Sequence, residues 1–346
     1  MSLSRRRFLL TSLALSAGAT GLAGCIASAN SEAPAEPAPS GAEAGAFPVI
    51  IAHKFGETTI TAEPRRVVTV GLKEQDDCLA VGVVPVGSTK WFELGAGGII
   101  GPWAEAALGS APPPTVLTDT DGIQFEKIAA LQPDLILAVY QGVKKSDYDK
   151  LAALAPTVAQ SKDHQDWGVP WEVEATMVGQ ALGRSAQMAE LVTSAKKKVA
   201  DTAAAHPEFS GKTGVVATPW EGVFVYGIQD PRPRLLTELG FILPEGLDKA
   251  TGSAWGGQLS TERVDLLDTD TIIWLVEGDG RKTIEANKAY TSLAVHKEGR
   301  EIFTKPGDNV YEALSFLTVL SVGYLVEQLA PRLAAAVDGD TATITD

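Results

Sequence analysis

The stretch Glu126–Val139, EKIAALQPDLILAV, returns 136 positions later, from Glu262, as ERVDLLDTDTIIWLV. Glu126 aligns with Glu262, Leu131 with Leu267, Asp134 with Asp270 and Ile136 with Ile272. Each copy reads as a short helix, a turn and an apolar strand. A chain that builds one helix–strand unit twice is expected to fold as two similar lobes. Two facing α/β lobes leave a cleft between them, and clefts hold ligands.

The flanking sequence supports this reading. Arg65–Gly71 is a β-branched run that stops at a glycine before a helix-like stretch, and Val83–Gly87, interrupted by Pro85, reads as the next short strand. A helix over Asp147–Ala155 and a strand over Thr157–Ala159 follow the first copy of the unit. In the second half, Thr213–Ala217, Val223–Tyr226, Thr271–Val276 and Glu301–Thr304 read as strands, Arg234–Leu239 as a helix, and Leu317–Ala335 as a closing helix. Strands alternating with helices argue for parallel sheets wrapped by helices. Between the halves, Ser185 is a fair N-cap for a segment with Met188, Leu191, Val192, Ala195 and Val199 at helical spacing, ending before Pro207. At 1.5 Å per residue this helix is about 30 Å long. The expected fold class is therefore α/β, with two Rossmann-like lobes, residues 47–184 and 207–346, joined by a single long helix over 185–206 and a ligand cleft between them.

The N-terminus reads as an address. Arg5, Arg6 and Arg7 precede the apolar run Leu13–Leu22, which is too short and too rich in Gly and Ser to span a bilayer, and the pattern resembles a twin-arginine export signal. It ends in Leu22-Ala23-Gly24-Cys25, similar to a bacterial lipobox, so residues 1–24 are expected to be an export signal and Cys25 the lipidated first residue of the mature chain. Each buried CH₂ of an acyl chain contributes about 0.8 kcal/mol, enough for two or three chains to tether a domain to a membrane. Residues 25–46, built mostly of Ala, Ser, Gly, Glu and Pro with no basic residue, are expected to be a flexible linker. Cys78 lies in an apolar run and is expected to be a buried thiol, because no intrachain partner remains. The formal charge is −14, or −17 without residues 1–24, which disfavours nucleic acid as a partner.

Enzyme signatures are missing. The chain has no Gly-x-Ser-x-Gly elbow, no His-Glu-x-x-His and no phosphate loop ending in Gly-Lys-Ser/Thr. Gly278–Thr283 lacks the spacing of a phosphate loop, and Asp119-Thr120-Asp121-Gly122 lacks the closing Glu of a calcium loop. The histidines, His53, His164, His206 and His296, stand far apart, so neither catalytic residues nor a protein-held metal is expected. Aromatic residues near strand ends are more telling: Trp91 and Phe92 follow the second strand, Tyr140 follows the third, Trp220 and Tyr226 flank the first turn of the second half, and Trp255 precedes the repeated unit. Loops beyond the carboxyl ends of parallel strands line the ligand crevice. Aromatic faces there suit a large, flat or partly apolar ligand, and Arg232, Arg234, Arg281 or Lys73 would match an anionic one.

The run Pro64–Gly87, with FEKIAALQPDLILA, DWGVPWE and ALSFLTVLS, resembles the iron-siderophore substrate-binding lipoproteins of ABC importers, a family that also contains cobalamin and haem binders. The resemblance covers most of residues 47–336. It implies two lobes joined by one long helix, little hinge closure and a ligand held between the lobes. It also implies that one surface glutamate per lobe docks on arginines of the permease: Glu126 in the Glu-Lys/Arg-Ile-x-x-Leu-x-Pro-Asp motif and Glu262 in the Ser-x-Glu motif. Trp91 and Trp255 stand where relatives place aromatic ligand contacts, whereas Tyr140, Trp220, Tyr226 and Arg232 are candidates by position alone. Lys73 replaces an aromatic residue usual in the family. The expected function is capture of a ferric siderophore for an ABC permease, by a non-enzymatic lipoprotein held on the outer face of the cell membrane. Iron would travel inside its chelator, with no cofactor of the protein's own. Haem or cobalamin is the alternative cargo, and a non-transport envelope protein the more distant alternative.

Overall fold

The structure, a computed structural model, describes residues 41–339; the export signal, Cys25 and residues 26–40 of the expected linker lie outside them. The chain enters through an antiparallel hairpin, β1 (Val49–His53) and β2 (Gly56–Ile60), which the sequence reading missed. The first sheet contains β3 (Val67–Thr69), β4 (Gly87–Thr89), β5 (Thr115–Leu117), β6 (Leu135–Ala138) and β7 (Thr157–Ala159). All are parallel, in the order β5-β4-β3-β6-β7. The second sheet contains β8 (Gly214–Thr218), β9 (Val223–Tyr226), β10 (Gly256–Leu259), β11 (Thr271–Leu275) and β12 (Glu301–Thr304), in the order β10-β9-β8-β11-β12. Here β8, β11 and β12 are parallel, and β9 and β10 add an antiparallel extension.

The internal repeat occupies equivalent places. In both sheets the repeated strand pairs with the first parallel strand of its half, and the two isoleucines share a register: Ile136 opposite Val68, Ile272 opposite Val215. The repeated aspartates also do the same work. Asp134 accepts from the backbone N–H groups of Arg65 and Arg66, both at 2.8 Å, and Asp270 accepts from Thr213 N and Oγ1 at 2.7 and 2.8 Å. Each carboxylate thus pins the entry of the neighbouring strand. The helices that precede differ. Phe125–Ala130 is an α-helix, whereas Thr261–Leu267 is a 3₁₀ segment kinked at Arg263.

Alternation along these strands explains their unbroken apolar runs. Leu135, Leu137, Ile273 and Leu275 point into a core shared by both halves, and Ile136, Ala138, Ile272 and Trp274 into separate outer layers. The shared core is filled by the helices Trp171–Ala181, Ser185–Ala205 and Ser321–Val337, through Ala175, Met188, Val199, Leu325 and Leu329 among others. The two sheets are therefore joined by packed helices as well as by the chain connection.

The structure changes several local expectations. The ladder of β4 starts at Val86 N, which donates to Val67 O, because Pro85 has no N–H to offer. Ser185 does not cap the long helix; the Glu43 carboxylate does, accepting from Ala186 N at 2.7 Å and Gln187 N at 3.1 Å. Glu63 in turn accepts from Gly41 N and Ala42 N at 2.9 and 3.0 Å. Residues 41–46, read from composition as linker, are thus tied to the folded body. Cys78 is a buried free thiol. The closing helix runs over Ser321–Val337 rather than from Leu317, which takes a left-handed φ of 42°, and a further helix, Asn309–Phe316, precedes it.

Candidate functional site

The loops beyond the carboxyl ends of the parallel strands bring most of the candidate residues together. Trp91 and Phe92 follow β4, Tyr140 follows β6, and Trp167 stands in the loop after β7. Trp91 stacks on Phe92 with centroids 4.9 Å apart, and lies 6.1 Å from Tyr140 and 5.6 Å from Phe316. From the other half, Trp220 follows β8, Tyr226 ends β9, Trp255 precedes β10 and Glu277 follows β11. Phe224, Tyr226 and Trp255 meet edge to face, at 5.1 to 6.4 Å. Trp220 is 59% exposed and forms the rim. Phe92 reaches Tyr311 at 5.7 Å, and the Tyr311 hydroxyl donates to Glu277 Oε1 at 2.6 Å, so the two groups of rings are continuous.

Arg232 stands between them. Asp230 caps the Pro231–Glu238 helix by accepting from Arg232 N, and also pairs with Arg232 Nη1 at 2.9 Å. The guanidinium lies over the Tyr226 ring, 4.4 Å from its centroid. Burial raises the Tyr226 and Tyr140 phenols, partly offset by the charge of Arg232, so both rings are neutral. Tyr140 is buried, and its hydroxyl donates to Trp167 O at 3.0 Å; it supplies floor rather than wall.

The other cations suggested for an anionic ligand do not line the ring-walled cavity. Lys73 is fully buried, paired with Glu174 at 2.9 Å, donating to Leu317 O at 3.1 Å and 3.9 Å from the Tyr140 centroid. Arg234 donates to the carbonyl oxygens of Ile228 and Gly168, at 3.2 and 2.6 Å, tying the two halves together. Arg281 lies over Phe303 and pairs with Glu285. It lines a separate groove of about 700 Å³ along β12, with Val276 and Gly278 in its wall. The aromatic cavity, bounded by Trp220, Phe224, Tyr226, Trp255 and Glu277, measures about 300 Å³.

Beneath the cleft lies a buried charged layer that sequence reasoning did not foresee. Lys73, Glu74, Asp76 and Asp77 at the start of the Glu74–Ala80 helix are all buried, with Glu174 facing them. Glu74 Oε1 accepts from Val139 N and Tyr140 N at 2.6 and 2.8 Å, fixing the end of β6. A side chain at Gly71 would place its Cβ 1.7 Å from that oxygen, which explains the glycine. Asp76 Oδ2 bridges the halves, accepting from Trp103 Nε1 at 2.6 Å and Thr318 Oγ1 at 2.7 Å. Burial pushes Asp76 up to about 6, against those hydrogen bonds and the charge of Lys73, and pushes Glu174 up to about 8. Burial, with the charge of Glu174, raises Asp77 as well.

A carboxyl whose folded pKa exceeds its unfolded value keeps its proton longer in the native state, so ionisation costs stability. For Asp76 the cost is absent below its ordinary value of 3.8, grows through the window up to about 6, and is constant above that. Its full size is about 3 kcal/mol. Asp76→Asn is expected to gain on the wild type by about that amount between about pH 3.5 and pH 7, read from denaturant unfolding at each pH. A difference that does not vary with pH would contradict this reading.

Glu126 and Glu262 are both exposed, each in the first turn of the helical segment that leads into its repeated strand. Neither carboxylate has an ion-pair partner among the described residues. Among those residues, no group of three His, Cys, Asp or Glu side chains is placed to hold a metal ion, and no helix is long and apolar enough to cross a membrane.

Two lobes, one on a parallel and one on a mixed sheet, packed on shared helices and facing a ring-lined cleft, define the architecture of a bilobed solute-binding protein. The chain belongs to the periplasmic binding protein family, whose model matches residues 95–306. It is similar to a periplasmic solute-binding protein of Mycobacterium smegmatis, with 36% identity and a TM-score of 0.71, covering 84% of this chain and 98% of that one. Streptococcus pneumoniae PiaA, solved in complex with ferrichrome, is 26% identical with a TM-score of 0.74, covering 85% of this chain and all (100%) of that one. YhfQ of Bacillus subtilis, assigned as an ABC transporter substrate-binding lipoprotein, is 26% identical over 262 residues, 72% of this chain and 79% of the relative.

Proposed function

We propose that this chain is the substrate-binding lipoprotein of an ABC importer, capturing a ferric siderophore between its lobes and handing it to a membrane permease. The observation that carries the reading is the composition of the cleft. Rings from both halves line it, and the buried Arg232 guanidinium, paired with Asp230, lies over the Tyr226 ring. Apart from the bond to Asp230, the Arg232 side chain makes no hydrogen bond among the described residues, so its other N–H groups suit oxygens of a ligand. A wrapped ferric ion presents such oxygens on a largely apolar body, which ring faces contact well. The ferrichrome complex of PiaA supports this class of cargo.

The remaining parts follow from the same reading. Cys25 would carry the lipid that holds the domain on the outer face of the membrane, and Glu126 and Glu262 would present one carboxylate per lobe to the permease. Trp91, Tyr140, Trp220, Tyr226, Arg232 and Trp255 are the proposed ligand contacts. Titration with ferric chelates, followed by tryptophan fluorescence, is expected to give saturable quenching. Trp255→Ala is expected to weaken affinity by roughly thirtyfold, the loss of about 2 kcal/mol usual for an interface anchor ring. Flat curves across hydroxamate, catecholate and citrate chelates would overturn the proposal.

A further inference from the structure

The half of the cleft beyond β8, β9 and β11 is an aromatic box with a carboxylate in its wall. Trp220, Phe224, Tyr226 and Trp255 stand at mutual angles of 51 to 78°, so they form walls around the cavity of about 300 Å³ rather than a stack. Glu277 closes that cavity. Its Oε1 accepts from the Tyr311 hydroxyl at 2.6 Å, and no Lys, Arg or His pairs with it among the described residues. The cations near the cleft are neutralised within the fold: Arg232 by Asp230 at 2.9 Å, Lys73 by Glu174 at 2.9 Å. The cleft therefore offers hydrogen-bond donors without net positive charge, plus one carboxylate that lacks a counter-ion, on a chain of formal charge −14.

We infer that this box binds an alkylammonium group, and that the cargo is a ferric chelate bearing a protonated amine, neutral or cationic overall. The inference deepens the proposed function and rests on it. Aromatic faces attract a cation through the ring quadrupole, more strongly when water is displaced, and a carboxylate beside them adds a direct charge partner. A polyanionic tricatecholate or citrate chelate meets Glu277 with like charge, and among the described residues the lining of this cavity holds no cation to offset it.

The test compares ferrioxamine B, a linear ferric trihydroxamate with one terminal ammonium, with its N-acetylated derivative, which has the same iron core and no charge on the tail. By calorimetric titration the wild-type protein is expected to bind the ammonium form at least tenfold more tightly, about 1.4 kcal/mol. In Glu277→Gln the ratio is expected to fall to near one. Equal affinity of the two forms for the wild-type protein, or a ratio unchanged in Glu277→Gln, overturns the inference while leaving chelate capture in place. Tighter binding of a ferric tricatecholate than of either form also overturns it. No binding of any ferric chelate overturns the reading beneath it.

Discussion

Reversing both Glu126 and Glu262 to lysine is expected to abolish chelate uptake while leaving chelate affinity unchanged. Each carboxylate is exposed, sits at the equivalent place of its lobe, and is free of ion pairs among the described residues. A helix-terminal acid gains at most about 1 kcal/mol from the helix dipole, so the fold should tolerate the change. Against a permease surface of opposite sign, reversal converts two attractive contacts into repulsive ones. Like-charge juxtaposition costs several kcal/mol, which corresponds to a hundredfold or greater loss of docking. Uptake of labelled ferric chelate by cells reads the docking, and titration of the purified protein reads the affinity. The single reversals should each reduce uptake, because either lobe alone keeps one contact. Uptake that survives the double reversal, or affinity that falls with it, would count against the docking role.

The second large effect concerns the fold. Trp274 lies in β11, fully buried in the outer layer of the second sheet, with its Nε1 donating to the Tyr290 hydroxyl at 3.1 Å. That hydroxyl donates to Glu301, whose other oxygen meets His296 Nδ1 at 2.8 Å. Trp274→Ala removes a large ring from a packed layer and leaves this chain of polar groups without its end. The expected loss is about 3 to 5 kcal/mol, a substantial part of the 5 to 15 kcal/mol typical of a folded domain. Trp274→Phe keeps most of the apolar contact and loses only the donor, for about 1 to 3 kcal/mol. Denaturant unfolding measures both. An alanine variant within about 0.5 kcal/mol of the wild type would show that this layer does not support the sheet.

The lobes were legible because the repeat carries its own structural logic. Asp134 and Asp270 recur because each clamps a neighbouring strand, and the apolar runs beside them recur because both faces of β6 and β11 are buried. The run around Leu317 was less legible. Its apolar composition reads as helix from Leu317 on, and nothing in it marks the left-handed turn there or the helix before it, which is capped by Asp308, a carboxylate accepting from Val310 N at 2.9 Å.

In the cleft, position near strand ends gathered Tyr140, Trp220, Tyr226 and Arg232, and the family resemblance added weight to Trp91 and Trp255. Lys73, one of four cations offered for an anionic ligand, is instead buried, because a lysine after a strand gives no sign that Glu174, a hundred residues on, will neutralise it. Glu277 was missed for the opposite reason. A lone carboxylate after a strand usually faces water, and its setting depends on Tyr311, which lies on a helix the sequence did not reveal. Glu43 was hidden by the low complexity around it, although its carboxylate caps the long helix.

Native mass spectrometry of the protein purified from iron-starved producer cells is the most direct test of the cleft as a carrier of chelated iron. The account predicts one additional mass per chain, bearing the isotope pattern of a single iron and released on unfolding as a small chelate. A tetrapyrrole at that stoichiometry, or a chain that leaves iron-starved cells with nothing bound, would contradict it.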